Sequence, residues 1–497
     1  MSEDAPVNTG AVRWPEPDPA YFAVRRMQTK LHRWAGENSS RRFGDLFNLV
    51  YDPAFLVHAF ERVAANAGAR TAGVDGVTVA HIKAQPDGVR VLLDQIRNSL
   101  KTGEYRPVEV RQVMIPKGTT GKFRKLGIPT VVDRVVQASL KAVLEPIFEA
   151  DFKPCSYGFR PNRRAHDAIA EIHHLASEPI NYQWVFEADI KACFDEISHL
   201  ALLDRFRVRI KDKRVCALVK AFLKSGVLTE LGDKEETLTG TPQGGILSPL
   251  LANIALSALD DHFDQQWHEQ MGSRWQRAKR KRTGQGNWKL IRYADDLILM
   301  VSGNRHHAQA LREEVTAVLA PLGLRLASEK TRTVHINEGF DFLGFHIRRM
   351  RKRGTQKYYV YTTPSRKAIQ SIKDKVRSMT HRSTRHYDLA GLIRSLNRTL
   401  VGWANYFRYG VSKAVFGSID QHAWGRLMRW IRAKYAGKQH RLGMKDLRRR
   451  FCDIGWRFAH NGVVFTGAAS VAVTRYRYRG NTIPTPWNPT TAAATSS

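Results

Sequence analysis

Cysteine is scarce in this chain, with four in 497 residues. Cys155, Cys193, Cys216 and Cys452 are scattered and form no Cys-x-x-Cys pair. That disfavours both a disulfide framework and a structural zinc site, and it fits a reducing compartment. His173-His174 and His306-His307 have no metal-ligand partners near them in sequence and read as surface helix residues. Long apolar runs are missing too. None approaches the roughly 18 to 20 residues that span a bilayer, so no membrane partner is expected. The amino terminus, with Asp4, Pro15, Glu16, Pro17, Asp18 and Pro19, has no signal-peptide core. Residues 1–20 read as a disordered lead-in and the small, polar residues 488–497 as a disordered tail. The expected location is the cytoplasm.

Negative charge is the third shortage. Against 79 Lys and Arg stand 46 Asp and Glu, a formal net charge of +33. An extended polyanion is the natural partner of such a chain. Between His346 and Arg450 there are 27 Lys/Arg against four acids, Asp374, Asp388, Asp420 and Asp446. A solvated basic face accounts for a short run but not for a surplus sustained over 105 residues. A second basic stretch, Gly272 to Arg292, carries Arg274, Arg277, Lys279, Arg280, Lys281, Arg282, Lys289 and Arg292 with no acid. With Gly284 and Gly286 interrupting it, that stretch reads as an exposed loop able to touch phosphates, or as a merely flexible charged one.

The carboxylates that are present carry the sharpest signal. Tyr293-Ala294-Asp295-Asp296 lies between Ile291 and the apolar run Leu297 to Met300, a pattern for a β-hairpin with both acids at its tip. Adjacent like charges repel unless a cation neutralises them, and hard oxygen ligands suit Mg²⁺. Asp-Asp in a turn is ordinarily just a solvated bend. Far upstream, however, the β-prone run Val185 to Ile190 places Asp189 near a strand end. Alone it would read as a helix cap. Paired with Asp295, it supplies what phosphoryl transfer needs, carboxylates from two strands converging on two divalent ions.

With these acids the chain resembles reverse transcriptases, Asp189 lying in the first palm motif and Asp295-Asp296 in the YxDD motif. It is more similar to the reverse transcriptase/maturases encoded by bacterial group II introns. Seven blocks follow that family's order: Thr71 to Thr78; Ile115 to Pro129; Ser156-Tyr157-Gly158-Phe159-Arg160-Pro161; the Asp189 block; Gly240 to Ile254; the hairpin; and Gly323-Leu324 with Ser328 to Thr331, leading to Phe340 to Phe345. Leu396 to Gly410, around Trp403, resembles the maturase motif.

The resemblance implies an α+β right-hand polymerase fold, fingers and palm, followed by an α-helical thumb/maturase domain. The expected division is an N-terminal extension over 21–104, fingers and palm over 105–348, thumb/maturase over 349–455 and a basic nucleic-acid-binding segment over 456–487. In the last of these, Arg475-Tyr476-Arg477-Tyr478-Arg479 alternates cations for phosphate with rings for stacking. The thumb should include a helix with Leu389, Leu392, Ile393, Leu396, Leu400, Trp403 and Phe407 on its apolar stripe.

Site roles follow from chemistry and resemblance together. Asp189, Asp295 and Asp296 are the expected catalytic carboxylates, holding two Mg²⁺ ions with the Ile190 carbonyl as a further ligand. Lys117 and Arg124 should meet the triphosphate of the incoming dNTP. Phe194 matches the family's steric gate against a 2′-hydroxyl, and Gln243 the position beside the nascent base pair. Lys330 is a weaker candidate for a primer or template contact. Arg394, Arg398, Trp403 and Arg408 are expected to contact the intron RNA. Ala192 and Cys193 stand where the family more usually has Gly and Phe.

The implied function is RNA-directed DNA polymerisation coupled to splicing and mobility of a group II intron. The implied partners are the intron RNA, target DNA and dNTPs, with a homodimer possible and the bacterial nucleoid as the place of action on DNA. Many relatives carry a C-terminal HNH nuclease with cysteine pairs; only Cys452 falls in the last hundred residues here, so target-strand cleavage is not expected. Two rivals are a splicing-only RNA-binding cofactor and a reverse transcriptase recruited for host defence or repair. The intact acids oppose the first and the Trp403 segment opposes the second.

Overall fold

The computed structural model describes residues 12–116, 123–229, 233–237, 239–241, 244–435, 442–480 and 482–488. Lys117 and Gln243 lie outside these residues, as do most of the expected lead-in and the end of the tail. The expectation of disorder fails at the end of the lead-in, where a helix spans Pro17–Glu37. Proline in its first turn and Asp18 beside the positive helix end favour that start. Ala20, Val24, Gln28, Leu31 and Ala35 recur along one face and are buried, packed on the helices Pro53–Ala65 and Val131–Glu149.

The fingers are built on the antiparallel pair Val110–Pro116 and Phe123–Ile128, extended by the short strands Val227–Leu228 and Lys234–Glu235. The palm is a four-stranded antiparallel sheet in the order Asn287–Tyr293, Asp296–Ser302, Trp184–Asp189, Arg332–His335. Successive side chains of a strand point to opposite faces, and here both faces are covered. Phe186, Ala188, Leu290, Leu297, Leu299 and Val301 enter a core shared with the N-terminal helices and with Ser248–Gln266 and Arg305–Leu319. Val185, Ile291, Ile298 and Met300 enter a second core shared with the helix Ala165–Ala176 and the thumb. That two-sided burial is why Leu297 to Val301 is an unbroken apolar run instead of an alternating one.

A three-stranded sheet, Phe340–Phe342, Phe345–Arg351 and Tyr358–Pro364, leads into the thumb helices Arg366–Met379, Leu389–Phe407, Lys413–Tyr435 and Met444–Phe451. The helix Leu389–Phe407 starts where Asp388 accepts the Gly391 N–H at 3.0 Å. Its apolar stripe is buried as expected, except that Trp403 is half-buried, 4.5 Å from the Phe407 ring centre and 5.9 Å from Phe416.

The C-terminal segment, expected as a basic nucleic-acid-binding stretch, is packed along the body of the protein. It runs from the thumb across the palm helix Ala165–Ala176 to the first helix. The Thr474 N–H donates to the Arg408 carbonyl at 3.0 Å. The Tyr476 hydroxyl donates to Asp167 at 2.9 Å, Tyr478 to Glu171 at 2.5 Å, and Arg479 Nε to Asp167 at 2.8 Å. At the far end, Trp487 Nε1 donates to Gln28 at 3.1 Å and its ring lies 5.6 Å from His32. The Arg–Tyr alternation thus builds a strap, because a buried carboxylate gains more from a hydroxyl or guanidinium partner than from none. Trp487→Ala should cost about 3 kcal/mol, the low end for a buried tryptophan. Urea unfolding checks this, and an unchanged midpoint would make the strap's end a loose contact.

Candidate active site

Ala294 and Asp295 close the palm hairpin, with Tyr293 paired directly to Asp296. Ala294 has φ 57° at the first central turn position, a conformation that usually calls for glycine in a type II′ turn. The surroundings hold it there. Arg292 Nη1 donates to the Ala294 carbonyl at 3.0 Å, and Gly158 packs so tightly behind the turn that a Cβ would strike the Ala294 nitrogen.

Arg292 is not the solvent-facing loop cation expected from its basic stretch; it is fully buried. Its Nε donates to Asp260 at 2.8 Å, Nη1 to Asn253 at 3.0 Å and Nη2 to Ser156 at 2.8 Å, with a second, bidentate contact to Asp260. Burial opposes the guanidinium's charge, yet the Asp260 carboxylate beside it raises its pKa above the usual value. The backbone joins in: Tyr157 N donates to the Arg292 carbonyl at 2.8 Å and Arg292 N to Cys155 at 2.9 Å. One side chain therefore ties two distant segments, the Ser156 block and the helix Ser248–Gln266, to the hairpin. The rest of the stretch also differs from expectation, since Arg274–Arg282 is a helix begun by a Ser273–Gln276 capping box, and Lys289 pairs with Glu171 at 2.9 Å.

Asp189 ends its strand in register with Asp296. Burial, then the Asp189 charge, raises Asp295 above the usual carboxylate range. Surrounding protein, then Asp295 and Asp189, pushes Asp296 up to about 6, although its side chain keeps an open face to solvent. Lys330 forms an ion pair with Asp189, and that hydrogen bond raises the lysine's pKa. Among the described residues no three His, Cys, Asp or Glu side chains are gathered as a ready metal cluster. The crowded acids, with a lysine ammonium already drawn to one of them, form a donor set that a hard cation fits. Next to them Ile190 bridges Leu326, and the flanking Asp189 carbonyl accepts the Ala327 N–H at 2.8 Å.

The remaining sequence candidates fall in two places. Arg124 is exposed on its fingers strand and close enough for its charge to act on Asp295. Phe194 is half-buried, its ring edge-on to Phe159 at 6.5 Å. The residue before its short helix Cys193–Glu196, Ala192, has φ 43°, a position that suits the glycine more usual in the family. Thr241 N donates to the Phe194 carbonyl at 2.6 Å, and a Cβ on Gly240 would collide with the carbonyls of Phe194 and Asp195. The Gly240 block is thereby pinned to the Phe194 turn. On the thumb, Arg394 and Arg398 are exposed one helical turn apart. Arg408 is half-buried over the Tyr409 ring at 5.9 Å and is turned to packing as much as to solvent.

Sequence reasoning missed Arg292, Asp260, Asn253 and Ser156 as a unit. The available signal was a charged residue inside the apolar strand Leu290-Ile291-Arg292, which needs a buried partner.

Residues 115–347 match the family Reverse transcriptase (RNA-dependent DNA polymerase), and residues 369–451 match Group II intron, maturase-specific domain. The chain is 37% identical over 365 residues to Protein YkfC of Escherichia coli (strain K12), covering 69% of this chain and 93% of that protein. It is 34% identical over 370 residues to Group II intron-encoded protein LtrA of Lactococcus lactis subsp. cremoris, covering 65% of this chain and 59% of LtrA. A more distant match is Nuclear intron maturase 1, mitochondrial, of Arabidopsis thaliana, 24% identical over 299 residues, 46% of this chain and 42% of that protein. The chain belongs to the group II intron-encoded reverse transcriptase/maturase family. Among the described residues no helix is long and apolar enough to cross a membrane.

The crowding of the acids has a pH signature. A carboxyl whose folded pKa lies above its unfolded value favours folding while protonated, and that contribution is lost as pH rises from about 4 through about 6. In metal-free buffer Asp296→Asn should therefore gain thermal stability relative to the parent, by an amount that grows from pH 4 to pH 7. A difference that stays flat across that window would give Asp296 an ordinary pKa.

Proposed function

We propose that the palm extends a DNA primer on an RNA template and that the thumb binds the group II intron RNA to promote its splicing. The observation that supports this most is the register of Asp189 with Asp296 beside Asp295, two strand acids and one turn acid at one sheet end. Asp189, Asp295 and Asp296, with the Ile190 carbonyl, would hold two Mg²⁺ ions. Bound there, the ions would supply activation of the primer 3′-hydroxyl and stabilisation of the leaving pyrophosphate. The chain's own residues would do the rest. Asp189 must exchange Lys330 for a metal, freeing that ammonium for a primer or template phosphate. Arg124, on the fingers side of Asp295, would bind the dNTP triphosphate as an always-charged donor, together with Lys117. The Phe194 ring would fill the space a 2′-hydroxyl needs, with Gln243 beside the nascent base pair.

Arg394 and Arg398, exposed on the thumb helix, would grip intron phosphates. Target DNA, dimer formation and action at the nucleoid remain part of this reading on family grounds. The intact acid set disfavours a splicing-only cofactor, and the maturase-domain match over 369–451 disfavours a defence or repair enzyme.

Two experiments test these assignments. Asp295→Ala should abolish primer extension while leaving splicing of the cognate intron near normal, whereas Arg394→Ala with Arg398→Ala should impair splicing at low Mg²⁺ and spare extension. Parallel loss of both activities in folded protein would mean that polymerisation and splicing share one site. Separately, Phe194→Val should raise the ratio of ribonucleotide to deoxynucleotide incorporation by an order of magnitude or more, since a steric clash discriminates by a few kcal/mol. An unchanged ratio would remove Phe194 from the sugar pocket.

A further inference from the structure

Between the palm helix Ala165–Ala176, the strand Tyr358–Pro364 and the strap lies an open cleft of about 880 Å³, within the size range of ligand sites. None of the three palm acids lines it. Its walls are aromatic, with Phe345, Tyr359, Tyr361, Tyr409, Tyr476 and Tyr478 contributing rings. At its rim Tyr359 is 46% exposed and Val411 56%.

The strap tyrosines are fixed platforms. Their hydroxyls are spent on Asp167 and Glu171, both buried. Each ring also stacks on a histidine of the palm helix, Tyr476 on His166 at 5.4 Å and Tyr478 on His174 at 4.4 Å. Lys352 lies 5.8 Å from the Tyr359 ring centre, and Arg475 and Arg477 complete the basic lining. Glu178 is the single acid among the lining residues. Rings held by their polar ends, beside cations, suit a ligand that is flat, apolar on its faces and anionic along its backbone.

We propose that this cleft binds an unpaired stretch of nucleic acid, with bases stacked on the tyrosines and phosphates on Lys352, Arg475 and Arg477. The inference rests on nucleic acid being the substrate of this chain, but it assigns a site apart from both the palm acids and the Arg394–Arg398 face. An acidic peptide would satisfy the cations and leave the row of rings without a role. RNA and DNA share the required chemistry, and the experiment separates them.

Full-length protein saturated with a primer–template duplex, so that the palm is filled, would be titrated with a short labelled oligouridylate or oligothymidylate. We expect saturable binding that Tyr359→Ala weakens about tenfold or more, as loss of one base–aromatic stack does, and that Tyr359→Phe preserves. Arg475→Gln should flatten the salt dependence by about one phosphate contact. Ultraviolet crosslinking should join the oligonucleotide to peptides containing Tyr359 or the strap, and the tighter-binding oligonucleotide names the source. Primer extension should be unchanged in every variant. The proposal is overturned if duplex-loaded protein binds neither oligonucleotide, if Tyr359→Ala binds like the parent, if Phe and Ala weaken binding equally, or if polyglutamate binds as tightly. Failure of the parent to bind or extend a primer–template would instead overturn the polymerase reading.

Discussion

Two neighbouring acids at the tip of a hairpin, facing a third across the sheet, are a local source of instability, and the structure around them exists to bear it. Burial and mutual repulsion raise both Asp295 and Asp296, so the folded chain works against its own charge wherever no cation is bound. The opposing force is the buried Arg292–Asp260 pair directly beneath. Such a pair contributes little net stability over apolar residues of the same size, but losing one partner leaves an uncompensated charge in the core. Its value here is geometric. Five fixed donors, used on Asp260, Asn253, Ser156 and the Ala294 carbonyl, allow only one position for the turn.

That arrangement brings the recognisable sequence blocks together in space. Ser156 and Gly158 come from one block, Asn253 from another and Arg292 from the hairpin itself. Asn253 reaches back to the Gly158 carbonyl at 2.8 Å. Gly158 is required by close approach to the turn and Gly240 by close approach to the Phe194 carbonyl. The blocks are thus one interlocked object dispersed along the chain.

Legibility in the sequence follows the range of the forces involved. The hairpin could be read because its two apolar runs and its turn are contiguous. The thumb helix could be read because a 3.6-residue stripe is a local signal. The α+β polymerase architecture came through the order of blocks, a resemblance and not a derivation. What could not be read depends on partners distant in sequence. Arg292 looks like one more cation in a basic run until Asp260 is placed beside it. The Arg–Tyr alternation shows cations and rings, but not that Asp167, some three hundred residues earlier, takes the Tyr476 hydroxyl and Arg479 Nε and fixes the segment in place. The helix Arg274–Arg282 was obscured by its charge, because a helix with six basic residues in nine shows little apolar periodicity, and its Ser273–Gln276 box marks the start.

The two-faced palm sheet also sets how the polymerase and RNA-binding halves can communicate. Ile291 and Ile298 pack into the core shared with the thumb, while their strand neighbours Leu290, Leu297 and Leu299 pack into the core of the N-terminal helices. The hairpin is therefore the common wall of two cores. A close-packed interior transmits small displacements instead of absorbing them, so a displacement in the thumb core would reach the strands that carry the acids. The strap adds a second link outside the sheet, from the Arg408 carbonyl through Asp167 to Gln28. Among the described residues thumb and palm are thus joined twice, through the sheet and through the strap.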